Sequence, residues 1–262
     1  MSRRRFYAPP NAFSDTAVNL PADETHHLTH VLRLTPGDEV FVFDGVGREY
    51  RCNFRGIRDA IAMLEIAEPL DDPVESPVQI TLVQSLARGE KFDLIVQKAT
   101  ELGVSCIAPL ITRYSDVRLD EQQKIKRVER WRRISLEAMK QCGRRQLVDI
   151  RPPQSIREFV AAADPRSNSA GDKDSSVALS LLFSERGGIP IEAAVAGVPI
   201  ERAILAFVGP EGGWSDDEMD VLTEFGAKAV TLGPRVLRTE TAAIVVVALI
   251  QHSLGDLSST EY

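Results

Sequence analysis

Cysteine is scarce. The three in 262 residues, Cys52, Cys106 and Cys142, are odd in number and widely spaced, with no Cys-x-x-Cys pair. That excludes a disulfide framework and a cysteine zinc site, and fits a reducing, cytosolic compartment. Long apolar runs are lacking too, since the longest, 242–250, falls well short of the roughly 20 residues a membrane span needs. The opening Met-Ser-Arg-Arg-Arg-Phe-Tyr-Ala-Pro-Pro has basic residues with no apolar core behind them, which excludes an ordinary secretory signal. Net positive charge is missing: 31 Lys+Arg against 38 Asp+Glu leave −7, which speaks against a uniformly basic nucleic-acid binder. What is present, 44% hydrophobic and 26% charged residues, excludes disordered and collagen-like classes and suffices for one large domain or two smaller ones.

Val40-Phe41-Val42-Phe43, Asp44-Gly45 and Tyr50-Arg51-Cys52-Asn53-Phe54 predict two strands joined by a turn with φ > 0. A third β-rich run covers 60–66. Leu28, Val31, Leu32 and Leu34 predict one short helix over 26–34, ended by Pro36-Gly37-Asp38. Three prolines and four acids in 68–77 mark a stiff linker. The expected organisation is a small β-barrel over 1–70, a linker over 71–77 and a second domain over 78–258. In that domain, strands at 78–84, 104–110, 177–183, 203–208 and 229–232 alternate with helices at 91–102 and 120–141 and after the last two strands, so an α/β fold with a mostly parallel sheet follows. The Ala-, Asp-, Ser- and Gly-rich stretch 161–176 reads as a flexible insertion.

Near the C-terminus two apolar strands each run into an unusual loop and a helix start. The first reads Ile204-Leu-Ala-Phe-Val208, Gly209-Pro-Glu-Gly-Gly213, with Ser215 and Glu218 at capping-box spacing. Its glycines let backbone amides approach a ligand, and Glu211 suits a cation or free hydroxyls better than a phosphate. The second reads Ala229-Val-Thr-Leu232, Gly233-Pro-Arg-Val-Leu-Arg238, with Thr239 as N-cap. Either loop alone is compatible with a plain structural turn, and neither has the spacing of a dinucleotide fingerprint or a phosphate loop. Two such loops at strand ends suggest one shared site, because open α/β sheets bind ligands beyond the carboxyl ends of their strands.

These loops, with Arg88-Gly-Glu-Lys91, Gln97-Lys-Ala-Thr-Glu-Leu-Gly103, 137–144, His27-Leu-Thr-His-Val-Leu-Arg33 and Phe43-Asp-Gly45, resemble the family of ribosomal RNA small subunit methyltransferases E, of the knotted SPOUT class. The resemblance implies a PUA-like RNA-binding barrel before an α/β domain with a C-terminal trefoil knot. It implies S-adenosylmethionine held by Leu182, Phe183, Gly209, Glu211, Gly212, Leu232, Gly233, Leu237, Arg238 and Thr239. It further implies methylation of N3 of a uridine in 16S rRNA of the small subunit, by a cytoplasmic homodimer. The helix 241–254 is a candidate for that dimer interface or, equally, for the monomer core.

For the chemistry, Glu240 could take the N3 proton and Arg238 could stabilise charge on the uracil oxygens; a helix-start ion pair is the other reading of these two. Expected RNA contacts are Arg4, Arg5 and Phe6 with their neighbours Arg3 and Tyr7, then His30 and Arg33, Arg88 and Lys91, and Arg144 and Arg145. His26 and His30 share a helix face, but no third ligand is near, so RNA or surface is preferred to metal. Residues 118–151 hold eleven Lys+Arg against five acids, a net of +6 that leaves −13 on the rest. With Trp131 and Arg144-Arg145 in it, this segment is expected to face phosphates, although a solvated helix face has the same composition. A non-catalytic RNA-binding assembly factor that keeps the cofactor site is the competing function. An enzyme of another nucleotide is disfavoured by Glu211 and by the absence of a phosphate-loop lysine.

Overall fold

The computed structural model describes residues 3–71, 75–115, 117–163, 179–199 and 203–258. They fall into two compact units, 1–75 with 136–147, and 76–135 with 148–262.

In the first unit, β1 (Arg5–Tyr7), β2 (Ala17–Asn19), α1 (Ala22–His26), β3 (Glu39–Phe43), β4 (Glu49–Arg58) and β5 (Ile61–Leu70) build a five-stranded sheet in the order β1-β3-β4-β5-β2. β3 and β4 form the antiparallel hairpin expected around Asp44-Gly45. Its turn is held by the buried Asp44, whose Oδ1 accepts from the N–H groups of Val46 (2.9 Å) and Arg48 (3.0 Å). Gly45 has φ +80°, and a Cβ there would meet the Tyr7 ring at 2.8 Å, so glycine is required twice over. Alternating inward residues Val40, Val42, Cys52, Phe54, Ala62 and Leu64 make the core with Phe6, Val18 and Leu28. The helix starts earlier than expected, at Ala22, and passes through a π turn at His27–Val31. β5 runs to Leu70, with Pro69 opposite Tyr50, so 68–70 belong to a strand and not to a linker. β2 reaches only 63–65, which leaves Pro69 on an edge where its missing N–H costs nothing.

The second unit comprises β6 (Ile80–Ser85), α2 (Lys91–Glu101), β7 (Cys106–Ile111), α3 (Glu121–Cys142), β8 (Asp149–Ile150), β9 (Gln154–Ser155), α4 (Ile156–Ala163), β10 (Leu179–Phe183), β11 (Ile189–Pro190), α5 (Ile191–Val195), β12 (Ile204–Val208), α6 (Asp216–Glu224), β13 (Lys228–Thr231) and α7 (Thr239–Leu254). The last turns of α3, from Leu136, group with the first unit. The sheet has the order β11-β13-β10-β12-β6-β7-β8, with β9 also on β7, and every described pair in it is parallel. β10 is buried throughout and β6 and β7 nearly so, as strands covered on both faces must be. One core contains Ile95, Trp131, Leu181, Val246 and Ile250; the other joins Leu182, Phe207, Trp214, Leu222 and Phe159. Residues 164–176 of the expected insertion lie outside the described residues, and 161–163 close α4.

Several surface expectations are overturned by burial. Phe6 is fully buried, so it cannot stack on a base. Arg5 is 7% exposed; its guanidinium meets Glu49 at 2.6 Å and the carbonyls of Met139 and Arg144 at the end of α3. Arg145 takes the other Glu49 oxygen at 2.9 Å and the Leu70 carbonyl, while Arg144 pairs with Glu75 at 2.8 Å. Neither Arg144 nor Arg145 therefore faces phosphates. Trp131 is buried against Phe92, its Nε1 donating to Asp93 at 3.1 Å, which removes it from the expected basic face.

Burial also sorts the thiols. Cys52 and Cys106 are buried and pushed up to about 12 by desolvation, whereas Cys142 is exposed. Iodoacetamide at pH 8 on the native protein should modify Cys142 alone, since thiolate is the nucleophile. Peptide mass spectrometry showing equal labelling of Cys52 or Cys106 would contradict these burials.

Candidate functional site

β10, β12 and β13 end in register, Phe183 opposite Val208 on one side and Val230 on the other. Because the strands are parallel, the loops that follow all leave by one edge of the sheet. They meet in a cleft lined by Phe183, Ser184 and Glu185, by Val208 to Trp214, and by Leu232, Gly233, Arg235 to Leu237, Thr239 and Ala242. Of the residues expected to hold a cofactor, Phe183, Gly209, Glu211, Gly212, Leu232, Gly233, Leu237 and Thr239 are brought together here. Leu182 and Arg238 are not: the Leu182 side chain is fully buried beside Phe207 and supports the strand from behind, and Arg238 is exposed and does not line the cleft.

Trp214, which sequence reasoning passed over, ties two loops together. Its Nε1 donates to the Phe183 carbonyl at 3.0 Å, and its ring lies so close to Gly209 that a Cβ there would stand 3.1 Å from it. Gly212 and Gly213 are likewise demanded by protein neighbours, a Cβ meeting Tyr114 Cβ at 2.8 Å and Glu185 Oε1 at 2.5 Å, and Gly213 has φ +72°. These glycines thus answer to the packing of the loop as well as lining the cleft. Gly233 differs: φ is +95° and a Cβ would meet nothing within 4 Å, so its surroundings are open. Glu185 and Arg235 also line the cleft without having been foreseen; their one signal was proximity to a strand end.

Thr239 is the first residue of α7 and not its N-cap, which is Arg238. The Thr239 hydroxyl donates to the Gly209 carbonyl at 2.7 Å and accepts from Gln84 Nε2 at 3.0 Å, pinning the glycine loop to the helix start. Ser215 begins α6 as expected, Glu218 accepting from its N–H at 2.9 Å.

Lys91, expected to meet RNA, lies at the cleft's edge. Its Nζ lies 2.7 Å from Glu211 Oε1 and 3.9 Å from Glu240 Oε2. Burial alone would raise the Glu211 carboxyl, but the hydrogen bond from Lys91, with the charges of Lys91 and Arg88, holds it below the usual carboxylate range. Glu240 Oε2 is buried and accepts no hydrogen bond. The charge partner of Glu240 is thus Lys91 and not Arg238, whose exposed side chain makes no hydrogen bond or ion pair among the described residues. Arg4, His30, Arg33 and Arg88 are exposed; Arg4 pairs with Asp38 at 3.3 Å, and His30 stacks on His26 with centroids 4.4 Å apart. Among the described residues no group of three or more His, Cys, Asp or Glu is placed to hold a metal ion, and no helix is long and apolar enough to cross a membrane.

Residues 74–251 match the model of an RNA methyltransferase domain and residues 20–61 that of an RNA methyltransferase PUA domain. The chain is similar to the ribosomal RNA small subunit methyltransferase E of Bacillus subtilis, 30% identical over 236 residues and 89% of each chain. It is similar to that of Mycobacterium tuberculosis, 33% identical over 263 residues, 94% of this chain and 90% of the relative. Among solved structures, a methyltransferase of Legionella pneumophila in complex with S-adenosylmethionine (SAM) aligns with a TM-score of 0.84 at 31% identity, covering 98% of this chain and 100% of the other. The ribosomal RNA small subunit methyltransferase E of Neisseria gonorrhoeae, also bound to S-adenosylmethionine, aligns at 0.83 and 34%, covering 97% and 99%.

Proposed function

Because the chain belongs to the family of ribosomal RNA small subunit methyltransferases E, we propose that it methylates N3 of one uridine in 16S rRNA of the small ribosomal subunit, using S-adenosylmethionine. The observation that carries this reading is the convergence of three strand-end loops on one cleft, in a chain alike over nearly its whole length to two structures holding that cofactor.

The residues present fit the group. Val208, Leu232, Leu237 and Ala242 offer apolar walls for a nucleoside, while Glu185 and Glu211 line the same cleft with carboxylates that suit a ligand carrying cationic centres and ribose hydroxyls. When bound, the cofactor supplies a methyl group on positively charged sulfur, transferred as its C–S bond breaks with the electron pair left on sulfur. The protein's part is to place the uridine and manage its proton. Glu240, with one carboxylate oxygen lacking a donor, takes the proton from N3–H. Lys91, between Glu211 and Glu240, holds that carboxylate at the start of α7. Arg238, free of partners among the described residues, is placed to neutralise charge spreading onto the uracil oxygens.

Ala243, Val246, Val247 and Ile250 are buried in the chain's own core, while Ile244, Val245 and Ala248 remain half-exposed in the same apolar run 242–250 of α7. We infer a homodimer with that second stripe as its interface, and the cytoplasm, where small subunits are assembled, as the site of action.

The test is to incubate the protein with S-adenosylmethionine and small subunits lacking the modification, then identify the modified nucleoside by mass spectrometry. 3-Methyluridine from a single 16S rRNA position is expected. A methyl on ribose or on another ring atom, or no transfer, would overturn the assignment.

A further inference from the structure

We propose that Tyr114 is a stacking platform for a nucleobase of the RNA substrate on the rim of the cofactor cleft, an inference that rests on reading the chain as an RNA methyltransferase. Among the described residues Tyr114 is the only exposed Phe, Tyr or Trp side chain, at 46%; the others are buried or half-buried. Its position beside the cleft is specific, because the Cα of the cleft-lining Gly212 leaves room for it: a Cβ on residue 212 would stand 2.8 Å from Tyr114 Cβ. The glycine loop is thereby shaped around a tyrosine whose ring the protein itself does not bury.

The loop carrying the ring is held firmly. The Ser115 hydroxyl donates to the Thr112 carbonyl at 3.0 Å, the Thr112 and Ser85 hydroxyls share a buried hydrogen bond of 2.6 Å, and the Arg113 N–H donates to Glu218 Oε1 at 2.7 Å. A ring fixed in advance loses little freedom on binding. The Arg113 guanidinium lies 5.9 Å from the ring centroid, and its side chain is 63% exposed. An exposed aromatic with an adjacent cation is the combination that recognises unstacked nucleotides: the ring takes a base face and the cation a neighbouring phosphate. Methylation at N3 requires the uridine, whose N3 is engaged in base pairing or buried in a stack, to be drawn out, and a ring at the cleft mouth offsets the stacking lost. The withdrawal of Phe6 into the fold removes the aromatic platform the sequence suggested elsewhere, and Arg5, Arg144 and Arg145 are buried with it.

Methyl transfer to unmodified small subunits, measured for the full-length protein and for Tyr114→Ala, Tyr114→Phe and Tyr114→Trp beside S-adenosylmethionine affinity by calorimetry, tests the idea. Tyr114→Ala should raise KM for the subunit by about 5- to 100-fold, the range of one base–aromatic stack, with cofactor Kd unchanged. Tyr114→Phe and Tyr114→Trp should stay close to the parent protein. Unchanged KM in Tyr114→Ala overturns the proposal, as does equal damage by Ala and Phe, which would make the hydroxyl the active part. A parallel loss of cofactor binding in Tyr114→Ala would make the role that of a loop support and also overturn it. Ultraviolet cross-linking of the unaltered protein to the subunit gives a second readout that needs no substitution: an adduct at Tyr114 is expected, and adducts confined to other residues count against it. An inactive parent protein sinks the functional reading itself, whereas an active parent with an indifferent Tyr114→Ala sinks only this inference.

Discussion

Exchanging Glu240 for glutamine is expected to lower kcat by about 10²- to 10⁴-fold, the range over which a positioned base acts. Affinity for S-adenosylmethionine should be little changed. The amide keeps the size and shape of the carboxylate, and Glu240 is not among the residues lining the cleft, so what is removed is the ability to accept a proton. Its Oε2 is buried without a hydrogen-bond donor and 3.9 Å from Lys91 Nζ, an arrangement that leaves capacity for one more proton donor. Because hydroxide removes the N3 proton more readily as pH rises, the deficit of Glu240→Gln should narrow toward alkaline pH. Arg238→Ala should also slow the chemical step, by about 10²- to 10³-fold if its guanidinium stabilises the uracil oxygens as an oxyanion donor does, without that narrowing. The two losses should not add if both residues serve one transition state. The competing reading, a helix-start ion pair between them, already fails on geometry, since Lys91 and not Arg238 is the partner of Glu240. If Glu240→Gln lowers the melting temperature and leaves kcat intact, the carboxylate is a helix-start residue and the proton goes elsewhere.

The contrast between the two loop systems shows what kind of information a sequence carries. Ile204–Val208 is an apolar run ending at Gly-Pro and the shorter 229–232 ends the same way, so strand, break and helix start could be read locally, and the sheet placed both loops at one edge. The packing against these glycines could not be read, because Trp214, Tyr114 and Glu185, the groups a Cβ there would crowd, meet them only through tertiary packing. By residue type Thr239 reads as a cap, yet its hydroxyl is spent on Gly209 and Gln84, the latter 155 positions away, a pairing that no window contains. β8, β9 and β11 are two residues each, too short to show a period. The N-terminal Arg-Phe reads as an exposed basic-aromatic arm, but Arg5–Tyr7 joins β3 in parallel, Phe6 opposite Val42, and that non-local pairing sends Phe6 into the core.

The same pairing sets up the largest stability effect. Glu49 is 2% exposed and bridges two guanidiniums, Arg5 Nε at 2.6 Å and Arg145 Nε at 2.9 Å, each side chain 4% exposed. Glu49→Gln keeps the packing and removes the negative charge between two buried cations. Breaking a buried ion pair in this way costs about 3–5 kcal/mol, because an uncompensated charge stays in a medium of low dielectric. The loss should concentrate in the unit made of 1–75 and 136–147, appearing as an earlier first transition in calorimetry. Salt should restore little of it, since screening hardly reaches buried pairs. Arg5 also donates to the Met139 and Arg144 carbonyls at the end of α3, so the cluster fastens a helix terminus to the sheet as well as balancing charge. A consequence for function follows. Arg145→Ala is expected to weaken ribosomal binding only together with a lower first transition, whereas substituting the exposed Arg33 or Arg88 should weaken it and flatten its salt dependence with the melting curve unmoved. If Arg145→Ala melts like the parent protein yet loses the salt-dependent affinity, the side chain faces RNA after all and the buried cluster is not what holds this unit together.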